Sequence, residues 1–316
     1  MKIAILGATS HIAKGLISRF IIDNEYELFL YSRSFERAEN FLKLIDRKDN
    51  GNYRILDDYG KFQSLKYDLI INCIGVETRN KHNCDFSRYF SLTEEFDNLV
   101  VGYLQKINED AQYISFSSGA VYGKGFSSPA DEDSENCIAV NKIAPEDYYS
   151  IVRINAETKH RSLNNLRIID LRVFSYFSRF INIEDGYFIT DVIQSVIKKQ
   201  TLITDKTNMV RDYIHPEDLF AAVKKCPYSP NGNCAVDLQS LSPVSKQEVL
   251  DYFSVHYGLQ YKIHESSQNE SATGTKLNYY SVINNAALID FRPVYRSINS
   301  LAHESEILIK NKLYGE

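Results

Sequence analysis

Tyr149 and Arg153 are four residues apart and Glu157 lies four further on, so the three share one face of any helix that contains them. An isolated phenol titrates near 10, and bringing it about three units towards neutrality requires ~4 kcal/mol of differential stabilisation. A fixed guanidinium alongside supplies that kind of contribution, which suits the pair to giving and taking a proton. A plain amphipathic helix carrying a Tyr and an Arg has the same spacing. Upstream, Ser115-Phe116-Ser117-Ser118-Gly119-Ala120-Val121-Tyr122-Gly123 follows a strand-like run. A hydroxyl at the C-terminal end of a parallel strand faces the crevice where α/β proteins bind ligands. Ser118 is therefore placed to hold a substrate oxygen within reach of Tyr149.

A second constellation opens the chain. An apolar run from Met1 stops on Gly7, and Ala8-Thr9-Ser10-His11-Ile12-Ala13 leads into a helical pattern. A strand, tight turn and helix in that order aim backbone amides at the diphosphate of a dinucleotide. Gly7 keeps the first glycine position, Ala13 is a small substitute at the third, and Ser10 departs from glycine at the second. An ordinary βα turn reads the same way. The second strand ends Ser32-Arg33-Ser34, with Arg37 a helical turn further, and no acid stands at the ribose position. A hydroxyl followed by a guanidinium favours NADP(H), with NAD(H) the alternative. Asp57 and Asp58, after the third strand, either meet the adenine edge or cap the next segment. Cys73, Ile74 and Gly75 end the fourth strand, where Gly75 lets the backbone approach a cofactor.

The elements that must position these residues alternate. Strands are expected at 3–6, 27–32, 53–56, 68–73, 112–116 and 167–173, and helices at 12–23, 35–45, 93–108 and 145–162. Such alternation predicts a parallel sheet covered on both faces. Beyond Val173 the pattern loosens: helices are expected at 189–199, 216–225 and 245–257, a strand at 235–238 and a polar loop at 268–275. At 316 residues, with 44% hydrophobic and 24% charged residues, the chain has ordinary globular composition. A net charge of −5 argues against a nucleic-acid partner. The 22 tyrosines read mainly as packing residues with a polar tip. Five scattered cysteines, 73, 84, 137, 226 and 234, offer no metal spacing and suggest reduced thiols in the cytoplasm. No stretch reaches the roughly 20 apolar residues of a membrane span, and no signal peptide is expected.

With these segments in view, the chain resembles the extended short-chain dehydrogenase/reductase family over nearly its whole length. The likeness is to the NAD(P)-dependent epimerase/dehydratase branch that acts on nucleotide sugars. Ser117 to Gly123 is similar to that branch's serine-bearing strand end, and Asp131-Glu132-Asp133 to the acidic segment after it. Leu171-Arg172-Val173-Phe174-Ser175 resembles the strand entering the substrate domain. The most specific match is Arg211-Asp212-Tyr213-Ile214-His215, and Leu288 to Pro293 resembles the closing segment. The resemblance implies a Rossmann-type doubly wound α/β sheet over 1–174 and roughly 211–240. A smaller, interleaved C-terminal substrate domain would comprise 175–210 and 241–316. It implies Ser118 and Tyr149 as catalytic residues, Arg211 as a ligand of the substrate diphosphate, His215 as structural, and a homodimer through the helices near 93–108 and 145–162. Three positions depart from it: Ser10, Ser175 in place of an asparagine near the diphosphate, and Arg153 in place of the lysine that bonds the nicotinamide ribose.

Within the branch, reductases consume NADPH while epimerases recycle a bound dinucleotide. Dehydratases resemble one another in an Asp-Glu pair after the catalytic hydroxyl, where this chain has Gly119-Ala120. Arg33 tilts the expectation to an NADPH-dependent reductase of a nucleotide-activated keto-deoxysugar, of the kind that serves bacterial surface polysaccharides such as lipopolysaccharide. A nucleotide-sugar epimerase is the alternative, and a non-catalytic NADP-binding regulator a further one.

Overall fold

The computed structural model describes residues 1–45, 51–75, 85–264 and 276–314. The first part runs β1 (Lys2–Leu6), α1 (His11–Phe20), β2 (Glu27–Tyr31), α2 (Phe35–Ile45) and β3 (Tyr53–Leu56). It continues through β4 (Leu69–Asn72), α3 (Ser87–Lys106), β5 (Gln112–Ser118), α4 (Pro145–Ser162) and β6 (Ile168–Val173). After these come β7 (Ser175–Tyr176), α5 (Phe188–Lys198), β8 (Leu202–Asp205), β9 (Val210–Arg211), β10 (Tyr213–Ile214) and α6 (Pro216–Lys225). The chain closes with β11 (Cys234–Leu238), β12 (Val244–Ser245), α7 (Lys246–Tyr257), β13 (Tyr261–His264), β14 (Asn278–Tyr279) and α8 (Ser297–Tyr314).

Seven strands form one parallel sheet in the order β11-β6-β5-β4-β1-β2-β3. The strand order reverses at β1, so a crevice opens above the C-terminal ends of β1 and β4. Strand periodicity accounts for the apolar runs: Ile3 and Ile5 enter one core, Ala4 and Leu6 the other. On the first face α1 contributes Leu16, Ile17 and Phe20, and α6 contributes Leu219 and Val223. On the second, α3 contributes Phe96, Val100 and Leu104. A further cluster joins α5, α7 and α8 through Val192, Ile193, Leu250, Phe253 and Leu301.

Most elements lie within a residue or two of the expected bounds, but α3 starts at Ser87, six residues early. The Asp85 carboxylate accepts from both the Ser87 amide (3.1 Å) and hydroxyl (2.6 Å), a start signal that apolar periodicity passes over. The loop expected at 268–275 and Cys84 lie outside the described residues. Among the described residues no helix is long and apolar enough to cross a membrane.

Candidate active site

The turn after β1 needs glycine for two reasons. Gly7 has φ +74°, and a Cβ there would stand 2.9 Å from the Ile74 side chain and 3.2 Å from the Cys73 backbone. Ser10 caps α1: its hydroxyl accepts from the Ala13 amide at 3.4 Å. The non-glycine at the second position therefore serves the helix start. Thr9 and Ile12 flank it, half-buried. His11 turns towards the later chain, with Nε2 2.8 Å from the Ser178 hydroxyl and its ring 4.8 Å from that of Tyr176. Gly15 carries a signal that the motif search missed. A Cβ there would lie 1.9 Å from the Tyr176 hydroxyl, so this glycine inside a helix marks where β7 crosses α1 closely.

Around the end of β2, Ser32 is buried and its hydroxyl is engaged in its own turn, donating to the Ser34 carbonyl and accepting the Ser34 amide. Arg33 and Arg37 are exposed. Arg33 sits beside Tyr59, whose pKa burial raises to about 12. Lys14 is half-buried, and burial and the neighbouring Arg37 both lower its pKa. Among the described residues none of these three cations pairs with a carboxylate. Of the two aspartates after β3, Asp58 is a cap, accepting from the Gly60 amide at 2.8 Å, while Asp57 is exposed. Cys73 is buried, and burial pushes its thiol up, so it belongs to the core and its backbone borders the turn.

Across the crevice, Tyr149 and Arg153 stand on α4, which Pro145 opens and the Asp147 carboxylate caps by accepting the Ala144 amide. The Arg153 guanidinium lies 5.0 Å from the Tyr149 ring centroid and donates to the Phe116 carbonyl at 2.9 Å. Burial alone would raise the Tyr149 phenol. The Arg153 charge, with hydrogen bonds from Ser118 and Arg153, overrides it and lowers the pKa. This is the phenol–cation arrangement the spacing suggested. The Ser118 hydroxyl also accepts from the Ala120 amide at 3.1 Å. A Cβ on Gly119 would meet the Phe174 ring at 2.3 Å, so Phe174 closes the position where a dehydratase-type carboxylate would project.

Beyond Ser118 lie two residues that the motif search missed. Strand β14 pairs with β9 in the register Tyr279 to Arg211. Tyr279 is buried, its ring packs on Phe126 and Phe174, and burial, the largest effect, pushes its pKa up. Lys276 Nζ sits 4.2 Å from the Tyr279 ring centroid, and the Arg211 guanidinium sits 5.9 Å away. Arg211 is buried and donates to the Lys276 and Val210 carbonyls. Among the described residues neither cation has a carboxylate partner, and burial with the nearby Arg211 lowers Lys276 to about 8. Two cations side by side, with no carboxylate beside them among the described residues, have the charge that suits an anion. Ser175 stands opposite Tyr213 in the β7–β10 pair. His215 caps α6 by accepting the Glu217 amide, and burial lowers it to about 4, so it is a neutral structural group.

The arrangement suits a nicotinamide dinucleotide. Gly7 leaves a cradle over a helix start with no acidic residue in its first turn. Further along, Arg153 has a buried Nε with no partner among the described residues, and a Cβ on Gly75 would be in ordinary contact with its guanidinium at 3.9 Å. Such a guanidinium suits a ribose hydroxyl.

This fold and site define a short-chain dehydrogenase type of protein, and comparison with known proteins narrows the class. The model of the NAD dependent epimerase/dehydratase family matches residues 3–226. The chain belongs to that family and is an NAD(P)-dependent enzyme of the extended short-chain dehydrogenase type. No curated protein sequence matches it. Among solved structures it is similar to a variant of UDP-glucuronic acid 4-epimerase from Bacillus cereus bound to UDP-4-deoxy-4-fluoro-glucuronic acid and NAD. That likeness has 15% identity, covers 98% of this chain and 99% of the other, and has a TM-score of 0.80. UDP-N-acetylglucosamine 4-epimerase from Methanobrevibacter ruminantium M1, in complex with UDP-N-acetylmuramic acid, matches at 16% identity with 98% of both chains covered and a TM-score of 0.80. dTDP-glucose 4,6-dehydratase from Bacillus anthracis, in complex with NAD, matches at 13% identity, with 99% and 98% covered and a TM-score of 0.78. At such identities the likeness is one of fold.

Proposed function

We propose that the protein is a nucleotide-sugar epimerase that works with a bound nicotinamide dinucleotide. The observation that carries this reading is the unbroken run of groups along the crevice. It passes from the Gly7 cradle through Gly75 and Arg153 to Tyr149 and Ser118, and ends at the cation pair Arg211 and Lys276. A nucleotide sugar fits it with its diphosphate on the two cations and its sugar against Tyr149. The 4-epimerases of the same fold, bound to UDP-sugars, support that class of substrate. Phe174 against Gly119 speaks against dehydration, because no carboxylate can project there to eliminate water.

In this reading Ser118 holds the reacting sugar hydroxyl and Tyr149, as phenolate, withdraws its proton. A dinucleotide held over Gly7 and beside Arg153 would supply the reversible hydride exchange at the sugar carbon. Tyr149 then gives the proton back to the oxygen of the inverted centre, so the protein ends each turnover unchanged. Arg153 keeps Tyr149 acidic enough for both halves.

A second reading, the NADPH-dependent reductase, draws on Lys14, Arg33 and Arg37, whose uncompensated charge suits a 2′-phosphate. One experiment separates the two. Incubating the protein with UDP-, dTDP-, GDP-, CDP- and ADP-sugars and either dinucleotide, followed by NMR of the sugar ring, should show one sugar converted to its epimer with no net change in dinucleotide redox state. Stoichiometric consumption of NADPH would replace the epimerase reading with the reductase one.

A further inference from the structure

Strand β4 buries Leu69, Ile70 and Ile71 and then ends on Asn72. The pairing with β1 runs out at the same point. The Cys73 amide still donates to the Leu6 carbonyl at 3.0 Å, but Gly7 bonds the Tyr31 carbonyl instead. The next amide, that of Ile74, finds its acceptor in the Asn72 side chain, with Oδ1 at 3.0 Å. The other end of the Asn72 amide is held too. Its Nδ2 donates to the Tyr113 hydroxyl at 3.2 Å, and that hydroxyl donates to Asp97 Oδ1 at 2.9 Å. The same carboxylate oxygen meets His160 Nε2 at 2.7 Å, and Lys159 pairs with the other oxygen.

Each hydrogen in this chain has one place. A carboxylate beside Lys159 and His160 accepts only, so Tyr113 gives Asp97 its single hydrogen and has a lone pair left for Asn72. The amide must then turn Nδ2 to the phenol and Oδ1 to Ile74. Reversed, it would set two N–H groups against each other at Ile74.

We infer that Asn72 and Tyr113 are positioning residues for the dinucleotide: through them the buried cluster of Asp97 and His160 holds the turn of Ile74 and Gly75 in place beside the Gly7 cradle. That role rests on the dinucleotide lying over Gly7. The cradle is tightest at this turn, where a Cβ on Gly7 would stand 2.9 Å from the Ile74 side chain and 3.2 Å from the Cys73 backbone. A small displacement of Ile74 therefore changes the space over Gly7. The anchor itself is rigid: Tyr113, Asp97 and His160 are all buried, and the Tyr113 ring lies edge-on to that of His160 at 5.7 Å. Parallel pairing sets Tyr113 opposite Ile70, and Asn72, two residues further on, shares the face of Ile70. A charged cluster packed under α3 and α4 thus reaches the cofactor end of the sheet through two neutral side chains.

Two measurements on Tyr113→Phe and Asn72→Ala decide the matter. Arg161→Met is the control, since it removes a partner of Asp170 but no bond of the chain. Hydrogen exchange at the Ile74 amide, followed by NMR without any ligand, should be about tenfold faster in both variants, the size of one hydrogen bond. The control should leave it unchanged. Binding of NAD and of NADP, followed by calorimetry, should weaken about fivefold or more in both variants and stay unaltered in the control, whatever each protein loses in urea stability. Tyr113→Phe added to Asn72→Ala should weaken binding little further, because the chain is already cut. Unmoved exchange at Ile74, unmoved affinity, or an equal loss of affinity in the control would overturn the assignment. A wild type that binds neither dinucleotide would overturn the cofactor reading itself, and exchange at Ile74 would still decide what holds the turn.

Discussion

Arginine at position 153 alters how the tyrosine is tuned without removing the tuning. Its guanidinium spans two jobs, donating to the Phe116 carbonyl and lying beside the Tyr149 phenol, while Nε is buried and has no hydrogen-bond partner among the described residues. A lysine has one point charge for the same work, whereas the planar fork can divide it. Removing the charge should therefore be costly. In Arg153→Met the Tyr149 pKa should rise and turnover at neutral pH should fall about 100-fold or more, the range for lost acid–base catalysis. Arg153→Lys should retain turnover. A pH–rate profile of the three proteins checks this, and equal turnover in Arg153→Met would refute the role given to the guanidinium. Ser118, Tyr149 and Arg153 were legible in the sequence because a strand end and helical i, i+4 spacing bring them to the crevice. Tyr279 and Lys276 were not. They sit on or beside a two-residue strand with no periodicity, and their neighbours Phe174 and Arg211 are far away in the chain.

At the scale of elements, the expected alternation of strand and helix was legible because both faces of the sheet are covered, leaving every strand an apolar run. Helix α8 was not. The side it buries carries Ser297, Ser300, Glu304 and Ser305, and Glu304 is held by the Arg179 guanidinium at 2.8 Å. Leu301, Leu308 and Ile309 share that side, but the polar residues between them interrupt the apolar stripe that marks a helix in a sequence. A second polar junction ties α4 to α3, β5 and β6. Each ring nitrogen of His160 meets a buried carboxylate, Asp97 at 2.7 Å and Asp170 at 2.9 Å, and Tyr113, Lys159 and Arg161 pair with the same carboxylates. Burial opposes the charge, but the two carboxylates raise His160 from 6.5 to about 9. A raised folded-state value means that the stabilisation is fully present below pH 6.5 and lost as pH rises through about 9. Its size is on the order of 3 kcal/mol. Urea unfolding at about pH 6 and about pH 10 should show the wild type losing this relative to His160→Asn. The comparison with the variant isolates it, because Lys276, lowered to about 8, contributes in the opposite sense. Parallel pH dependence in the two proteins would count against a charged His160.

Across the whole molecule, the sheet and the C-terminal segments meet along one crevice, and each supplies half of the chemistry. Strand ends β1, β4 and β5 and helix α4 bring the cradle, the phenol and its cation. Strands β9 and β14, which lie outside the seven-stranded sheet, bring Arg211 and Tyr279 to the same place. The Tyr176 hydroxyl against Gly15 and the His11–Ser178 contact join the two parts at the turn itself. The sequence motifs pointed to the first half through Gly7, Ser118 and Tyr149, and to the second through Arg211 and Ser175. In the proposed epimerisation one hydride leaves the sugar and returns to the same carbon while Tyr149 carries the proton. That exchange is tested most directly by giving the protein its nucleotide sugar deuterated at the inverting carbon, in ordinary water with unlabelled dinucleotide, and following the label by NMR and mass spectrometry. Epimerisation with the deuterium retained at that carbon is the predicted result. Loss of the deuterium to water, or its permanent transfer to the dinucleotide, would contradict it.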